Sequence, residues 1–291
     1  MDVGGTGIKG TFADETGKVN GKILQFASKS KESKTEIVNN FCRIIKEIWN
    51  SINDGNKALT GIAMACPGPF DYANGVFLIK ELGKYNAVYN VSLPDEILKA
   101  KAENDMHFLD ESCSFRFIND VEAYARGAYT RQEIKKYSRI LFLCIGTGCG
   151  SAFMADGKIC TDTSQGVPEN GWVYAVPFRE SVIDDYISAR GIESLGKKHL
   201  KKQLTPHEIS KMYDEGIPSA IAVYKEFGYN LKEAIEPIVL NFNADAVVLG
   251  GKISRSAHMF IKPLEEGCKG IKILIEPDTS KMTCIGLESL F

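Results

Sequence analysis

Three times along this chain an apolar strand runs into glycines, and that recurrence limits the fold more than any other feature. The places are Gly4-Gly5-Thr6-Gly7, Gly146-Thr147-Gly148-Cys149-Gly150 and Gly250-Gly251. A strand that stops at glycines lets several backbone N–H groups converge on one point with no Cβ in the way. Such a turn suits a phosphate, and Thr6 and Thr147 each add a hydroxyl donor. One such turn alone can equally be a tight connection; three together favour anion binding. None is a Walker loop, because no Gly-Lys-Ser/Thr follows. None has the Gly-x-Gly-x-x-Gly spacing that opens a dinucleotide-binding helix. Asp2 stands directly before the first turn. A carboxylate there can hold Mg²⁺ through water, or it can be a solvated residue near a chain end.

The flanking segments read as α/β. Ile8–Ala13 and Val19–Ala27 enclose a polar turn at 14–18 and form a hairpin. Thr35–Ile52 carries a helical apolar stripe through Ile37, Phe41, Ile44 and Ile48. Thr60–Cys66 is a strand ended by Pro67-Gly68-Pro69. Leu93–Ala102 is a helix, and the strand Ser114–Ile118 leads through Asn119-Asp120 into a helix at Val121–Arg131. Arg139–Ile145 is the most apolar strand, and Asp156-Gly157 joins Ser151–Ala155 to Lys158–Cys160 as a hairpin. Helices follow at 181–199, 205–215 and 217–242, then strands at Ala244–Leu249 and Ile271–Ile275. Hairpins among βα units predict mixed sheets rather than purely parallel ones. No internal repeat is visible by eye.

The 291 residues suit two lobes, and 44% apolar with 25% charged residues is an ordinary globular mixture. A net charge of −2 without a basic stripe argues against a nucleic-acid surface. No apolar run approaches the ~18 residues of a membrane span, and no signal peptide precedes the first motif. The eight cysteines are never closer than five residues, so no zinc pair is present at short spacing. Reduced cysteines and the lack of a targeting segment point to the cytoplasm.

Taken in order, the motifs resemble those of the ROK family of repressors and sugar kinases. Asp2-Val3-Gly4-Gly5-Thr6-Gly7-Ile8-Lys9 is similar to its first phosphate motif, and Pro67-Gly68-Pro69 with Asp71 and Gly75-Val76 to its Pro-Gly loop. Asn119-Asp120-Val121-Glu122-Ala123 resembles its catalytic motif. Ile145–Gly150 with Asp156-Gly157-Lys158 is similar to its second phosphate motif, and Val248–Ser254 to its adenosine motif. The resemblance implies an actin-like ATPase (ribonuclease H-like) two-lobed α/β fold, with ATP in the cleft between the lobes. It implies ATP-dependent phosphorylation of a hexose or glucoside at the 6-hydroxyl, with Mg²⁺ and with Asp120 as general base. Gly68, Asn119, Glu169 and Asp184 would join Asp120 in binding the sugar. Gly4, Gly5, Thr6, Gly7, Lys9, Gly146, Thr147 and Gly148 would meet phosphates, and Gly250 and Gly251 the adenosine. Asp2 would hold the Mg²⁺ through water. Relatives often pair, so a homodimer is also expected, with a small-molecule sugar and ATP as the ligands and no nucleic acid or membrane. Asn119-Asp120 also fits a helix N-cap, and one residue can serve both roles.

The chain departs from the family at several points. Where the family often has Gly-Glu-Ile-Gly-His, this sequence has Pro168-Glu169-Asn170-Gly171-Trp172, and the Cys-rich zinc cluster that follows it is replaced by Tyr174–Val182. A structural zinc is therefore not expected, which matches the zinc-free glucokinase and β-glucoside kinase type. Trp172 can face a sugar ring or pack in a core. Asp184 would replace a longer glutamate. The segment Lys80–Tyr89 suggests an altered substrate rim. Only Met1 precedes Asp2: either the sequence begins inside a longer protein, or the start of the first strand has been lost, in which case the small lobe would lack most of a central strand and bind Mg-ATP more weakly. At the other end, Ile285-Gly286-Leu287 matches the start of a helix that usually runs longer. The expected division is a small lobe at 1–117 and a large lobe at 118–291, with the last helix returning to the first lobe. A family repressor needs a helix-turn-helix before Asp2, and another actin-like ATPase would not carry Asn119-Asp120. The main alternative is a non-catalytic ROK-type sugar-binding or sensing protein.

Overall fold

The computed structural model describes residues 1–14, 16–52, 58–80 and 83–291. Glu15 of the expected hairpin turn and Glu81-Leu82 of the expected substrate rim lie outside the described residues. The principal elements are β1 (Asp2–Val3), β2 (Gly7–Gly10), β3 (Leu24–Ala27), α1 (Lys34–Asn50), β4 (Leu59–Cys66), α2 (Leu93–Ala100), β5 (Leu109–Asn119) and α3 (Asp120–Ala128). They continue with β6 (Arg139–Ile145), β7 (Cys149–Ala155), β8 (Lys158–Ile159), α4 (Ala189–Leu200), α5 (Pro206–Asp214), α6 (Pro218–Asn241), β9 (Ala246–Gly250), β10 (Lys272–Ile275) and α7 (Thr279–Leu287). The chain forms two compact units, one from Met1–Ala128 with Ser280–Phe291, the other from Tyr129–Thr279.

The first unit is built on a sheet of order β3-β2-β1-β4-β5. β3, β2 and β1 pair antiparallel; β1, β4 and β5 pair parallel. Helix α1 buries Ile37, Phe41, Ile44 and Ile48, the stripe read from the sequence. It starts where Ser33 and Glu36 form a reciprocal capping box, which satisfies two backbone N–H groups at the helix start. β1 is short: its only Cα partner on β4 is Ala65. Met1 extends the ladder, its ammonium donating to Ala63 O at 2.6 Å and its carbonyl accepting from Ala65 N at 2.8 Å. Past Met1 lies a groove of about 860 Å³ lined by residues that include Phe12, Ile45, Trp49, Gly61 and Phe291.

The first unit runs through α3, so the sequence boundary at 117 falls inside β5. The reason is a glycine contact between two helices. A Cβ on Gly127 would lie 1.7 Å from Met282 O, and one on Gly286 would lie 1.8 Å from Ala123 O. α3 and α7 thus cross backbone to backbone, and this contact holds Ser280–Phe291 in the first unit.

The second unit repeats the plan. Its sheet has the order β8-β7-β6-β9-β10, again with two antiparallel pairings followed by two parallel ones. The sequence showed no repeat because only the direction pattern and the glycine turns recur. β6 is buried along most of its length, as its apolar run predicts. Asp156 and Gly157 both have positive φ, 48° and 77°, which suits a two-residue hairpin turn. The single helix expected at 181–199 is not formed. Ser181–Val182 pairs with Pro177–Phe178, a short helix covers Ile183–Tyr186, and extended Ser188 separates it from α4. No described helix is long and apolar enough to cross a membrane.

Candidate active site

In the first unit the carboxyl ends of three parallel strands lie side by side. Asp2 of β1 is opposite Ala65 of β4, and Cys66 of β4 is opposite Asn119 of β5. The edge outside the carboxyl ends of parallel strands is where open α/β sheets bind ligands. The turn after β1 closes with Gly4 N donating to Gly7 O at 2.9 Å. Its carbonyls are held from outside. Ser28 and Ser30 hydroxyls donate to Gly5 O at 2.7 and 2.5 Å, and the Tyr85 hydroxyl donates to Gly4 O at 3.0 Å. Thr6 is exposed. A Cβ on Gly4 would meet Gly7 O at 2.8 Å, so only glycine closes this turn without adjustment. Lys9, opposite Asp2 on β2, donates to Ser280 Oγ at 2.5 Å.

Asn119 and Asp120 sit at the β5–α3 junction. Asn119 Oδ1 accepts from Val121 N at 2.9 Å and from Glu122 N at 3.2 Å, so it caps α3. Its amide nitrogen donates to the Tyr72 hydroxyl at 3.1 Å, and that hydroxyl donates to Cys66 O at 3.2 Å. Asp120 Oδ1 accepts from Val121 N at 3.0 Å. Burial, and next the charge of Asp2, push the Asp120 carboxyl up to about 6, against the pull of Lys84 and of backbone N–H groups. Burial also raises the Asp2 carboxyl, with a Ser280 hydrogen bond and the Lys9 charge opposing. Asp2 is thus not the solvated end residue that was one of its two expected settings. Gly68, in the middle of the Pro67-Gly68-Pro69 loop, is exposed, and a Cβ there would lie 3.5 Å from the Tyr72 hydroxyl.

In the second unit two glycine turns meet. Gly250 of β9 pairs with Cys144 of β6, and a Cβ on Gly251 would lie 2.2 Å from Ile145 O. Gly251, at φ 88°, donates its N–H to Thr279 Oγ1 at 2.8 Å. The turn at Gly146–Gly148 closes with Gly146 N donating to Gly148 O at 2.8 Å, and Thr147 at its tip is exposed. Asp184 braces it. Its Oδ1 accepts from Cys149 N at 2.6 Å, its Oδ2 pairs with Arg190, and Arg190 donates to Thr147 O at 3.1 Å.

These clusters are set in a chain whose residues 1–271 match the ROK family model. The chain belongs to the ROK family. A glucokinase from Halalkalibacterium halodurans is 23% identical over 290 residues, covering 91% of this chain and 83% of that protein. An N-acetyl-D-glucosamine kinase from Aliivibrio fischeri is 24% identical over 274 residues, covering 87% of this chain and 83% of that protein. Among solved structures, a ROK family glucokinase from Streptomyces griseus in complex with glucose and AMPPNP superposes with a TM-score of 0.72 at 15% identity, covering 99% of this chain and 97% of that one. The fold is the actin-like ATPase α/β fold of ROK proteins, with mixed sheets.

Within this ROK chain, Asp184 was expected to bind sugar, but both of its oxygens are engaged inside the second unit. Glu169 is exposed on a short turn at Glu169–Gly171. Trp172 is 43% exposed and lies 5.8 Å from Tyr174, itself 38% exposed, so Trp172 does not pack a core. Ser151 fixes this stretch by donating to Gly171 O at 2.6 Å and accepting from Val173 N at 2.9 Å. Among the described residues no group of three or more His, Cys, Asp or Glu is placed to hold a metal ion. Mg²⁺ does not need one, because it is commonly held by one or two carboxylates with substrate phosphates and water supplying the rest. Asp2, a single hard-oxygen donor at a glycine turn, fits that mode. Sequence reasoning missed Ser28, Ser30, Tyr72, Tyr85 and Arg190. None carries a local signature: Ser28, Ser30, Tyr85 and Arg190 each act on a turn distant in the chain, and Tyr72 links Cys66 O to Asn119.

Proposed function

We propose that this protein transfers the γ-phosphoryl group of ATP to the 6-hydroxyl of glucose, N-acetylglucosamine or a related hexoside, with Asp120 as general base. One observation carries the reading. Asp120 is a half-buried carboxyl, pushed up to about 6 by burial and by the charge of Asp2, at the carboxyl edge of a sheet beside a phosphate-type glycine turn. The relatives' names, and the glucose and AMPPNP bound by a ROK protein of the same fold, support the substrate classes.

The residues divide the work. The amides at Gly4–Gly7 and at Gly146–Gly148, with the hydroxyls of Thr6 and Thr147, bind phosphates. Lys9 adds charge near Asp2. Gly250 and Gly251 leave room for the adenosine to approach the backbone. Asn119 and Glu169 bind sugar hydroxyls, and Gly68 lets the sugar approach the loop after β4. Asp184 positions the second turn rather than binding sugar. As the sugar oxygen bonds to phosphorus, its proton passes to Asp120 and the bond to the β-phosphate oxygen breaks, releasing ADP. Positioning and charge stabilisation supply most of the rate in such transfers. Mg²⁺, held by Asp2 through water, would neutralise phosphate charge.

A coupled ADP-release screen against glucose, N-acetylglucosamine, mannose, allose and cellobiose tests the reading. Sugar-dependent ADP release is the expected result. Sugar binding without turnover at saturating Mg-ATP would instead support a non-catalytic sensor.

A further inference from the structure

The segment through Gly83, Lys84 and Tyr85 closes on the first glycine turn. Tyr85 is fully buried and left-handed, at φ 56°. Its N–H donates to Ser30 O at 2.6 Å and its hydroxyl to Gly4 O at 3.0 Å. These two bonds fix the backbone from which the neighbouring Lys84 side chain projects. The Lys84 stem runs along Gly5: a Cβ added there would lie 2.9 Å from Lys84 Cδ and 3.7 Å from Lys84 Cβ. Glycine at position 5 is therefore what lets this lysine lie against the turn.

Several titratable groups face Asp120. Asp2 comes from β1, Cys66 from the end of β4, Tyr72 from the loop after β4, and Lys84 from the segment over the turn. Of these, Lys84 alone brings a cationic side chain. One side chain thus touches the phosphate turn through its methylenes and acts on the base through its charge. Phosphoryl transfer builds negative charge on the oxygens of the transferred group. An ammonium carried by this stem would stabilise the charge that builds in the transition state.

We propose that Lys84 is a further catalytic residue, whose ammonium neutralises the transferring phosphoryl group and favours the ionised form of Asp120 until it accepts the hydroxyl proton. The sugar oxygen–phosphorus bond forms, the bond from phosphorus to the ADP oxygen breaks with its electron pair, and the proton goes to Asp120. This role rests on the sugar-kinase reading.

The test is ADP release by the wild type, Lys84→Met and Lys84→Arg with the sugar the wild type turns over best, from pH 5 to 8, alongside thermal melts. Lys84→Met is expected to lower kcat on the order of 10²-fold and to move the acid limb of the profile to higher pH. Lys84→Arg is expected to keep most of kcat and leave the limb in place. If Lys84→Met does not fold, Lys84→Gln carries the same comparison. A folded Lys84→Met with kcat within about threefold of the wild type and an unmoved limb overturns this role alone. No ADP release from the wild type with any sugar overturns the kinase reading, and this role with it.

Discussion

The two units use one sheet plan to do different things. Each has two antiparallel pairings, two parallel ones, and a glycine turn closing off the middle strand. In the first unit that strand has two residues and one Cα partner on its parallel neighbour; in the second it has seven residues and five such partners. Asp2 stands two residues before the first turn's leading glycine, and Cys144 holds the same place before Gly146. The first turn is held by neutral hydroxyls, the second by the ion pair of Asp184 with Arg190. A glycine turn closed by one main-chain hydrogen bond is therefore common to both. What separates them is where the carboxylates go. The first unit keeps two half-buried ones, Asp2 and Asp120, at the sheet edge, both pushed up by burial. The second unit engages its own in bracing a turn.

The largest contrast should appear in activity. Asp120→Asn is expected to lower kcat by about 10²–10⁴-fold, the usual scale of general-base loss, whereas Asp184→Asn should leave measurable turnover in the same steady-state assay. Equal losses would erase the distinction between the units. Asp184→Ala should instead appear in stability, with an expected cost of about 1–3 kcal/mol in urea unfolding, because Cys149 N and Arg190 lose a charged acceptor. Paired glycine substitutions sharpen the comparison. Gly4→Ala drives a Cβ to 2.8 Å from Gly7 O and should destabilise by about 1–2 kcal/mol. Gly146→Ala has nothing within 4 Å of the added atom and should leave the melting temperature unchanged while weakening ATP binding, as calorimetry can check.

The smallest effect is a pH-dependent gain in stability. The folded Asp120 carboxyl is raised from 3.8 to about 6, so its contribution is present at low pH and is lost as pH rises through that window. Asp120→Asn should therefore be more stable than the wild type at pH 7.5, by about 1 kcal/mol or more, and show no such advantage at pH 4. Melts at the two pH values decide it.

The glycine turns, the Asx pair and the apolar strands were legible because each leaves residue types at fixed spacing. Ile37, Phe41, Ile44 and Ile48 announce α1, and Asp156-Gly157 announces its hairpin. What surrounds the turns was not legible. Tyr85 reaches Gly4 across 81 residues, and Ser28 reaches Gly5 across 23. Neither shows a local pattern, because a hydroxyl that holds a distant carbonyl looks like any other surface-type residue in sequence. Nothing in the sequence marks Gly127 and Gly286 as a contact until α3 and α7 cross on them. The helix expected at 181–199 failed because apolar spacing continues past Ser188 while the backbone there is extended. Asp184 was expected to bind sugar, and its engagement by Cys149 N and Arg190 was not legible.

The pH dependence of kcat/KM for the preferred sugar, in the wild type and in Asp120→Asn, tests the central claim most directly. The wild type should hold a plateau above neutrality and lose activity as pH falls through about 6, and Asp120→Asn should lack both the plateau and that limb. Activity that stays level down to pH 4.5, or an Asp120→Asn enzyme that turns over like the wild type, would contradict it.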